Sequence, residues 1–412
     1  MGSTAGDDHL QWIDSSRRFG CRRVLTLCVI LLLCSNACLA RSTPPQDASR
    51  QAAIGFEQQG DFSQAEAAWR TYLADHPSSA EAYAHLGLLA ARQEHYREAE
   101  PLYRKAMALG STIPGLRLDL GLALFKTGDL QQALTQFTPL LNVARTGSAD
   151  RQRLSILVGM CYYGLGQYRQ AASHLQEVVS GDPNNLPLLL ALTQSYLWSK
   201  QYSQVLVTYR QILILNPQSA EADLLAGEAL DAEKDAFGAM QQFRAAIKAD
   251  PHLPEAHFGL GYILWTQHQI PAAAAEFQAE LDNNPNYAQA LAYLGDCDLV
   301  LNHPELARPL LQRAIQSDPR IELAPLDLGM IDANAGRRKD ALRELLIAEG
   351  LAPNDLKVHW QLGRIYRELG EREKAAAEFN KVKTITAAVD TPLVKKMMPP
   401  SSAAQPVPAS GR

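Results

Sequence analysis

Residues 255–285 read EAHFGLGYILWTQHQIPAAAAEFQAELDNNP, and this stretch decides the fold. From Glu255 to Trp265, His257, Leu260, Gly261 and Leu264 fall at i, i+3, i+4 and i+7, the spacing of one helical face. A short break follows. From Pro271 to Leu281, a second helix carries Ala273, Phe277 and Glu280 on its inner side. Asp282-Asn283-Asn284-Pro285 then ends it, because proline cannot continue a helix and Asn and Asp favour turns.

The same unit recurs along the chain. Gly87, Gly121, Gly159, Gly227, Gly261, Gly295, Gly329 and Gly363 form one column, completed by Ala53 and Thr193. Twelve residues on stands a small residue, as at Ala65, Ala99, Ala273 and Ala375, with Val205 the exception. Four further on is a large apolar one, as at Trp69, Tyr103, Phe137, Phe243, Phe277 and Phe379. Glycine inside a helix costs roughly 1 kcal/mol against alanine. Its return at one register therefore predicts close helix packing, with the large residue filling the space. The step is 34 residues from Gly159 onward and 38 between Gly121 and Gly159, which places a four-residue insertion near Thr146-Gly147-Ser148-Ala149.

This pattern resembles the tetratricopeptide repeat, most closely at Tyr83, Leu86, Gly87 and Ala99, and at Leu260, Gly261, Leu264, Ala273, Phe277 and Pro285. The resemblance implies an all-α, right-handed solenoid of about ten helix-turn-helix repeats, and a function lodged in a surface. The repeats are placed at about 46–79, 80–113, 114–147, 152–185, 186–219, 220–253, 254–287, 288–321, 322–355 and 356–387.

The first forty residues differ in kind. Arg17, Arg18, Arg22 and Arg23 precede an apolar run from Val24 to Leu33, and Ala37-Cys38-Leu39-Ala40 follows. Basic residues, a short apolar core and small residues form the pattern of a secretory signal. Cleavage, retention as an anchor over 24–40, and lipid modification at Cys38 are the alternatives. Each places the repeats outside the cytoplasm, periplasmic or secreted, with residues 41–45 as a linker. After the last repeat, 388–412 reads as one short capping helix followed by a Pro/Ser/Ala tail that buries too little surface to order itself. Four of the six cysteines lie in the leader; Cys161 and Cys297 are expected to be buried and unpaired.

The sequence offers no constellation for catalysis, no zinc-spaced Cys pair and no phosphate-cradling glycine loop. The ten histidines are scattered, and His257 and His359 are read as packing inside their repeats. Glu276 and Glu280, or Glu344 and Glu349, carry nothing that marks an acid–base pair. The expectation is a non-enzymatic protein without cofactor or metal. A net charge of −5 gives no reason to expect nucleic acid as a partner.

A partner surface is read from a second stripe on each first helix, largely at three residues before, one after and four after the column glycine. The resemblance places that stripe on the concave side. It gives Phe125, Met160, Tyr163, Gln194, Leu197 and Trp198, with Leu118, Leu122 and Ile156 beside them. It continues through Glu228, Asp231, Phe258, Tyr262, Trp265, Tyr293 and Asp296, and ends with Trp360, Arg364 and Arg367. Tyr163, Trp198, Tyr262 and Trp265 are read as anchors rather than core, because polar-tipped aromatics suit interfaces. The acidic members point to a basic or hydrogen-bond-donating protein or peptide. Self-association, and sugar stacking on the same aromatics, are the alternatives. Membrane contact is expected only through the N-terminal segment, if it stays attached.

Overall fold

The computed structural model describes residues 45–389, so the leader and the Pro/Ser/Ala tail lie outside the described residues. The described chain is helical throughout, with consecutive helices paired as a solenoid pairs them. It divides into two units at Pro217/Gln218.

The first unit holds five pairs: α1 (Pro45–Gln59) with α2 (Phe62–Asp75), α3 (Ala80–Arg92) with α4 (Tyr96–Ala108), α5 (Leu116–Thr127) with α6 (Leu130–Val143), α7 (Ala149–Gly164) with α8 (Tyr168–Gly181), and α9 (Leu186–Trp198) with α10 (Tyr202–Leu215). The second holds five more: α11 (Ala220–Ala232) with α12 (Ala236–Ala249), α13 (Ala256–Thr266) with α14 (Ile270–Asn283), α15 (Ala288–Val300) with α16 (Pro304–Ser317), α17 (Leu323–Asn334) with α18 (Arg338–Leu351), and α19 (Leu356–Glu368) with α20 (Arg372–Val389). Among the described residues, no helix is long and apolar enough to cross a membrane.

The glycine column packs as its recurrence requires. A Cβ on Gly261 would stand 2.9 Å from the ring of Phe277, and one on Gly363 would stand 2.7 Å from Phe379. Gly87 meets Tyr103, Gly227 meets Phe243 and Gly295 meets Leu311 in the same way, always sixteen residues on. Repeat five departs from the column and compensates chemically. The Thr193 hydroxyl lies 2.8 Å from that of Thr208 on the facing helix and donates to the Leu189 carbonyl, so the buried polar group is satisfied.

The link between paired helices has a column of its own. The residue seven places after the glycine register is left-handed in every pair: Gly60, Glu94, Gly128, Gly166, Lys200, Lys234, His268, Asn302, Gly336 and Gly370. That turn breaks the first helix and starts the second, so half the repeats hold an L side chain in a conformation that favours glycine.

The four-residue insertion lengthens a helix rather than a loop. α7 begins ten residues before Gly159, whereas α3, α11 and α15 begin seven before Gly87, Gly227 and Gly295. Its start is fixed by Ser148, whose hydroxyl accepts from the Arg151 amide. The helix expected from Glu255 begins one residue later. Glu255 itself is left-handed at φ +70° and does not cap the helix with its side chain.

Candidate functional site

Cross-repeat packing builds the stripe, and it does so differently in the two units. In the first unit, Tyr163 at the end of α7 donates its hydroxyl to Gln194 on α9. Its ring lies 5.6 Å from Trp198, and Tyr168 at the start of α8 closes on the same indole at 4.6 Å. Burial, with the neighbouring Tyr168, pushes the Tyr163 phenol up to about 12. Trp198 stays open, 44% exposed, while Leu197 is buried and has no face for a partner. Phe125 and Met160 are half-buried, and Phe125 leans on the core.

In the second unit the aromatics form one cluster. Phe258, Tyr262 and Trp265 on α13 surround Tyr293 of α15 at 5.8, 5.6 and 5.1 Å, and Tyr262 stacks along Trp265 at 6.2 Å. The indole N–H of Trp265 donates to Asp296 Oδ2 at 2.6 Å. Tyr163, Tyr262 and Trp265 thus also brace the first helix of the next repeat. Each is half-buried, so each still offers a face.

Acidic groups border this cluster. Glu228 on α11 is raised to about 7, chiefly by burial and secondarily by Glu255. Asp231 lies one turn further along α11, half-buried. Asp296 is buried and held by Trp265. The column two residues before the glycine, which the stripe includes only at Tyr293, adds Asp327 and Gln361. Both are buried, and Asp327 Oδ2 and Gln361 Oε1 lack a hydrogen-bond partner. Burial and Asp296 push the Asp327 carboxyl well up. Two polar residues at a register otherwise largely apolar from α7 onward were the sequence signal for them.

The last pair carries the basic end. Arg364 lies over the exposed ring of Trp360 at 5.5 Å, one turn away, and Arg367 is exposed.

Two carboxylates that the sequence leaves unmarked have structural work. Glu280 is buried and accepts from the backbone amides of Glu255 at 3.0 Å and Phe258 at 3.2 Å. It thereby caps α13 from the facing helix, where Glu255 does not. Glu276 meets His257 Nδ1 at 2.7 Å, and Glu378 meets His359 Nδ1 at the same distance in the last repeat. These are equivalent registers, so both histidines pack within their repeats as expected.

Among the described residues, Glu349, His359 and Glu378 form the one group compact enough for a metal ion. Its donors are already used. His359 Nε2 faces the Pro353 carbonyl at 2.8 Å, and the Lys381 ammonium donates to Glu349 at 2.7 Å and Glu378 at 2.9 Å. A lysine occupying the carboxylates makes this an ion-pair lock between α18, α19 and α20. Cys161 and Cys297 are free and buried, and burial pushes both thiols up to about 12.

Comparison with known proteins agrees with the geometry. Residues 50–180 match the cilia and flagella-associated protein 70 middle TPR-like domain. Tetratricopeptide-repeat families match residues 162–229, 207–254, 258–320 and 356–388. The chain is similar to anaphase-promoting complex subunit 3 of Schizosaccharomyces pombe, 21% identical across 71% of this chain and 44% of that protein. It is also similar to the protein CTR9 homolog of Arabidopsis thaliana, 23% identical across 69% and 27%. It therefore spans less than half the length of these relatives. A crystal structure of the APC/C hetero-tetramer Cut9-Hcn1 aligns with a TM-score of 0.43 and 14% identity, covering 84% of this chain and 88% of that one. Repeated column, paired helices and matched families converge: the chain is a tetratricopeptide-repeat protein.

Proposed function

We propose that the chain is a non-enzymatic scaffold that binds another protein, and that its second unit holds a peptide of that partner along α11 and α13. The observation that carries this reading is the stacked pair Tyr262 and Trp265, half-exposed, with Glu228 and Asp231 at neighbouring stripe positions. Apolar ring faces provide area at low entropy cost, and carboxylates beside them favour a basic or N–H-rich segment. The curated relatives matched here include a subunit of a large assembly, which agrees with a scaffold role.

Placing a photo-crosslinking phenylalanine at Tyr262, with a control at exposed Lys248 on α12, tests the surface. The expected result is one dominant adduct from position 262 and none from 248. Equal adducts from both positions would reject the groove.

Export belongs to the same proposal and rests on the arginines, apolar run and small residues of the first forty positions. A mature chain that retains Met1 in a soluble cytoplasmic fraction would reject it. Sugar binding is a second reading, favoured by the open indole of Trp198 beside Tyr163 and Tyr168. A glycan array with Trp198→Ala as control separates the two.

A further inference from the structure

The insertion that breaks the 34-residue step leaves a cavity of about 790 Å3 in the first unit. The longer α7 projects its early turns past the start of α5, which begins only at Leu116. Gly115, left-handed at φ +88°, lines the cavity without a side chain to fill it. The walls are aliphatic: Leu118 and Leu122 from α5, Leu140 from α6, and Leu154, Ile156 and Leu157 from α7. Val143, at the end of α6, stands 82% exposed at the edge, so the cavity opens to solvent beside an apolar side chain.

The rim is charged, and its charges are unspent. Arg145 and Arg153 line it and are exposed, and among the described residues neither has a carboxylate within ion-pair distance. Their neighbour Arg151 differs, being paired with Glu177 at 2.6 Å. Asp150 adds one negative charge to the same lining. An empty aliphatic slot with a net positive, mixed-sign rim asks for a ligand with several apolar groups on one side and acidic groups flanking them.

We infer that this cavity is a second docking site, independent of the second-unit groove, for an amphipathic helix with aliphatic anchors and flanking Asp or Glu. Such a helix presents anchors at i, i+3 or i+4 and i+7, which matches walls spread over three helices. Its flanking carboxylates reach Arg145 and Arg153, and a backbone or Lys donor satisfies Asp150. A fatty-acid carboxylate would also bring chain and charge. It would leave Asp150 beside its headgroup, a like-charge contact that a peptide avoids by spacing.

The test is a display selection of sixteen-residue helical peptides on the full chain, with binders measured by fluorescence anisotropy. Controls are Arg145→Glu/Arg153→Glu, which changes only exposed side chains, and Leu122→Trp, which fills the slot. The expected binders carry helically spaced aliphatics with acidic flanks and lose about tenfold in affinity in the charge-reversed protein. Sodium oleate should not displace them at concentrations below its micelle threshold. Binders without an acidic bias, or binders indifferent to both variants, overturn the site. Displacement by oleate reassigns the slot to an amphiphile and overturns the peptide. A selection yielding only binders that depend on Tyr262 and Trp265 supports the second-unit groove and rejects this cavity, and a selection yielding none rejects it too. Should Leu122→Trp unfold, the arginine pair alone decides.

Discussion

Trp265 donates its indole N–H to Asp296 at 2.6 Å, and this bond joins the first helices of two successive repeats. Tyr163 and Gln194 make the corresponding bond in the first unit, from the fourth residue after one column glycine to the residue after the next column position, held by Thr193. Tyr163 and Trp265 are therefore fastened at the tip, and both are only half-buried. A fastened ring loses less entropy on binding than a free one, which makes it a better anchor. Trp265→Phe keeps most of the ring and removes the donor, leaving the buried Asp296 carboxylate short of a partner. The expected cost is roughly 1–2 kcal/mol. Urea denaturation of the two proteins checks it, and coincident midpoints would show that the bond carries no net stability.

Glu228 makes stability depend on pH. Its carboxyl is raised from 4.5 to about 7 by burial and then by Glu255, so the folded chain holds a proton that the unfolded chain releases. Below about 4.5 both states are protonated and nothing is lost. Stability then falls as pH rises toward 7 and is flat beyond it. Glu228→Gln should match the parent at pH 4 and exceed it at pH 8. The gain is at most roughly 3 kcal/mol, reduced by the solvent that still reaches the group. A melting-temperature gap that is the same at both pH values would refute this origin.

The fold was legible because its determinants are local and repeated. Gly261 and Phe277, or Gly363 and Phe379, stand at fixed spacing within one unit, and a helical period converts that spacing directly into contact. The stripe was legible only as positions. Whether Trp265 is free or fastened depends on Asp296 in the next repeat, a contact between units of the pattern rather than inside one. Glu280 was missed for a different reason: its contacts lie within one repeat, but its partners are backbone amides, which leave no trace in side-chain composition. Asp327 and Gln361 sit in a column whose importance emerges only once their burial without partners is seen. The insertion was visible, but its effect was not, since four residues can lengthen a loop or a helix.

The turn and glycine columns predict opposite outcomes for opposite substitutions. Lys234 is left-handed at φ +71°, so Lys234→Gly removes a strained side-chain conformation. The expected gain is roughly 0.5–1 kcal/mol, after the entropy that glycine adds to the unfolded chain. Gly261→Ala instead places a Cβ 2.9 Å from Phe277 and 3.2 Å from the Glu276 Cβ, in a packed interior. A loss of about 1–3 kcal/mol is expected despite alanine's better helix propensity. Thermal melts of both variants decide the matter: a stabilised Gly261→Ala would mean that the helices separate at little cost.

Glu280 links the core of the second unit to its binding face. Its carboxylate accepts the amides of Glu255 and Phe258, which are otherwise orphaned at the start of α13, and α13 carries Tyr262 and Trp265. Replacing it by alanine removes the acceptor of two part-buried backbone donors, at an expected cost of roughly 1–3 kcal/mol. Glu280→Gln keeps one amide oxygen as acceptor and should lose about half as much. Hydrogen exchange gives a local readout that global stability does not. The Phe258 amide should exchange markedly faster in Glu280→Ala, while amides in α17 and α19 change only with the global loss. If all amides of the second unit shift equally, the cap acts through the fold as a whole. If Phe258 alone is released, α13 frays at its first turn, and crosslinking from position 262 should weaken with it.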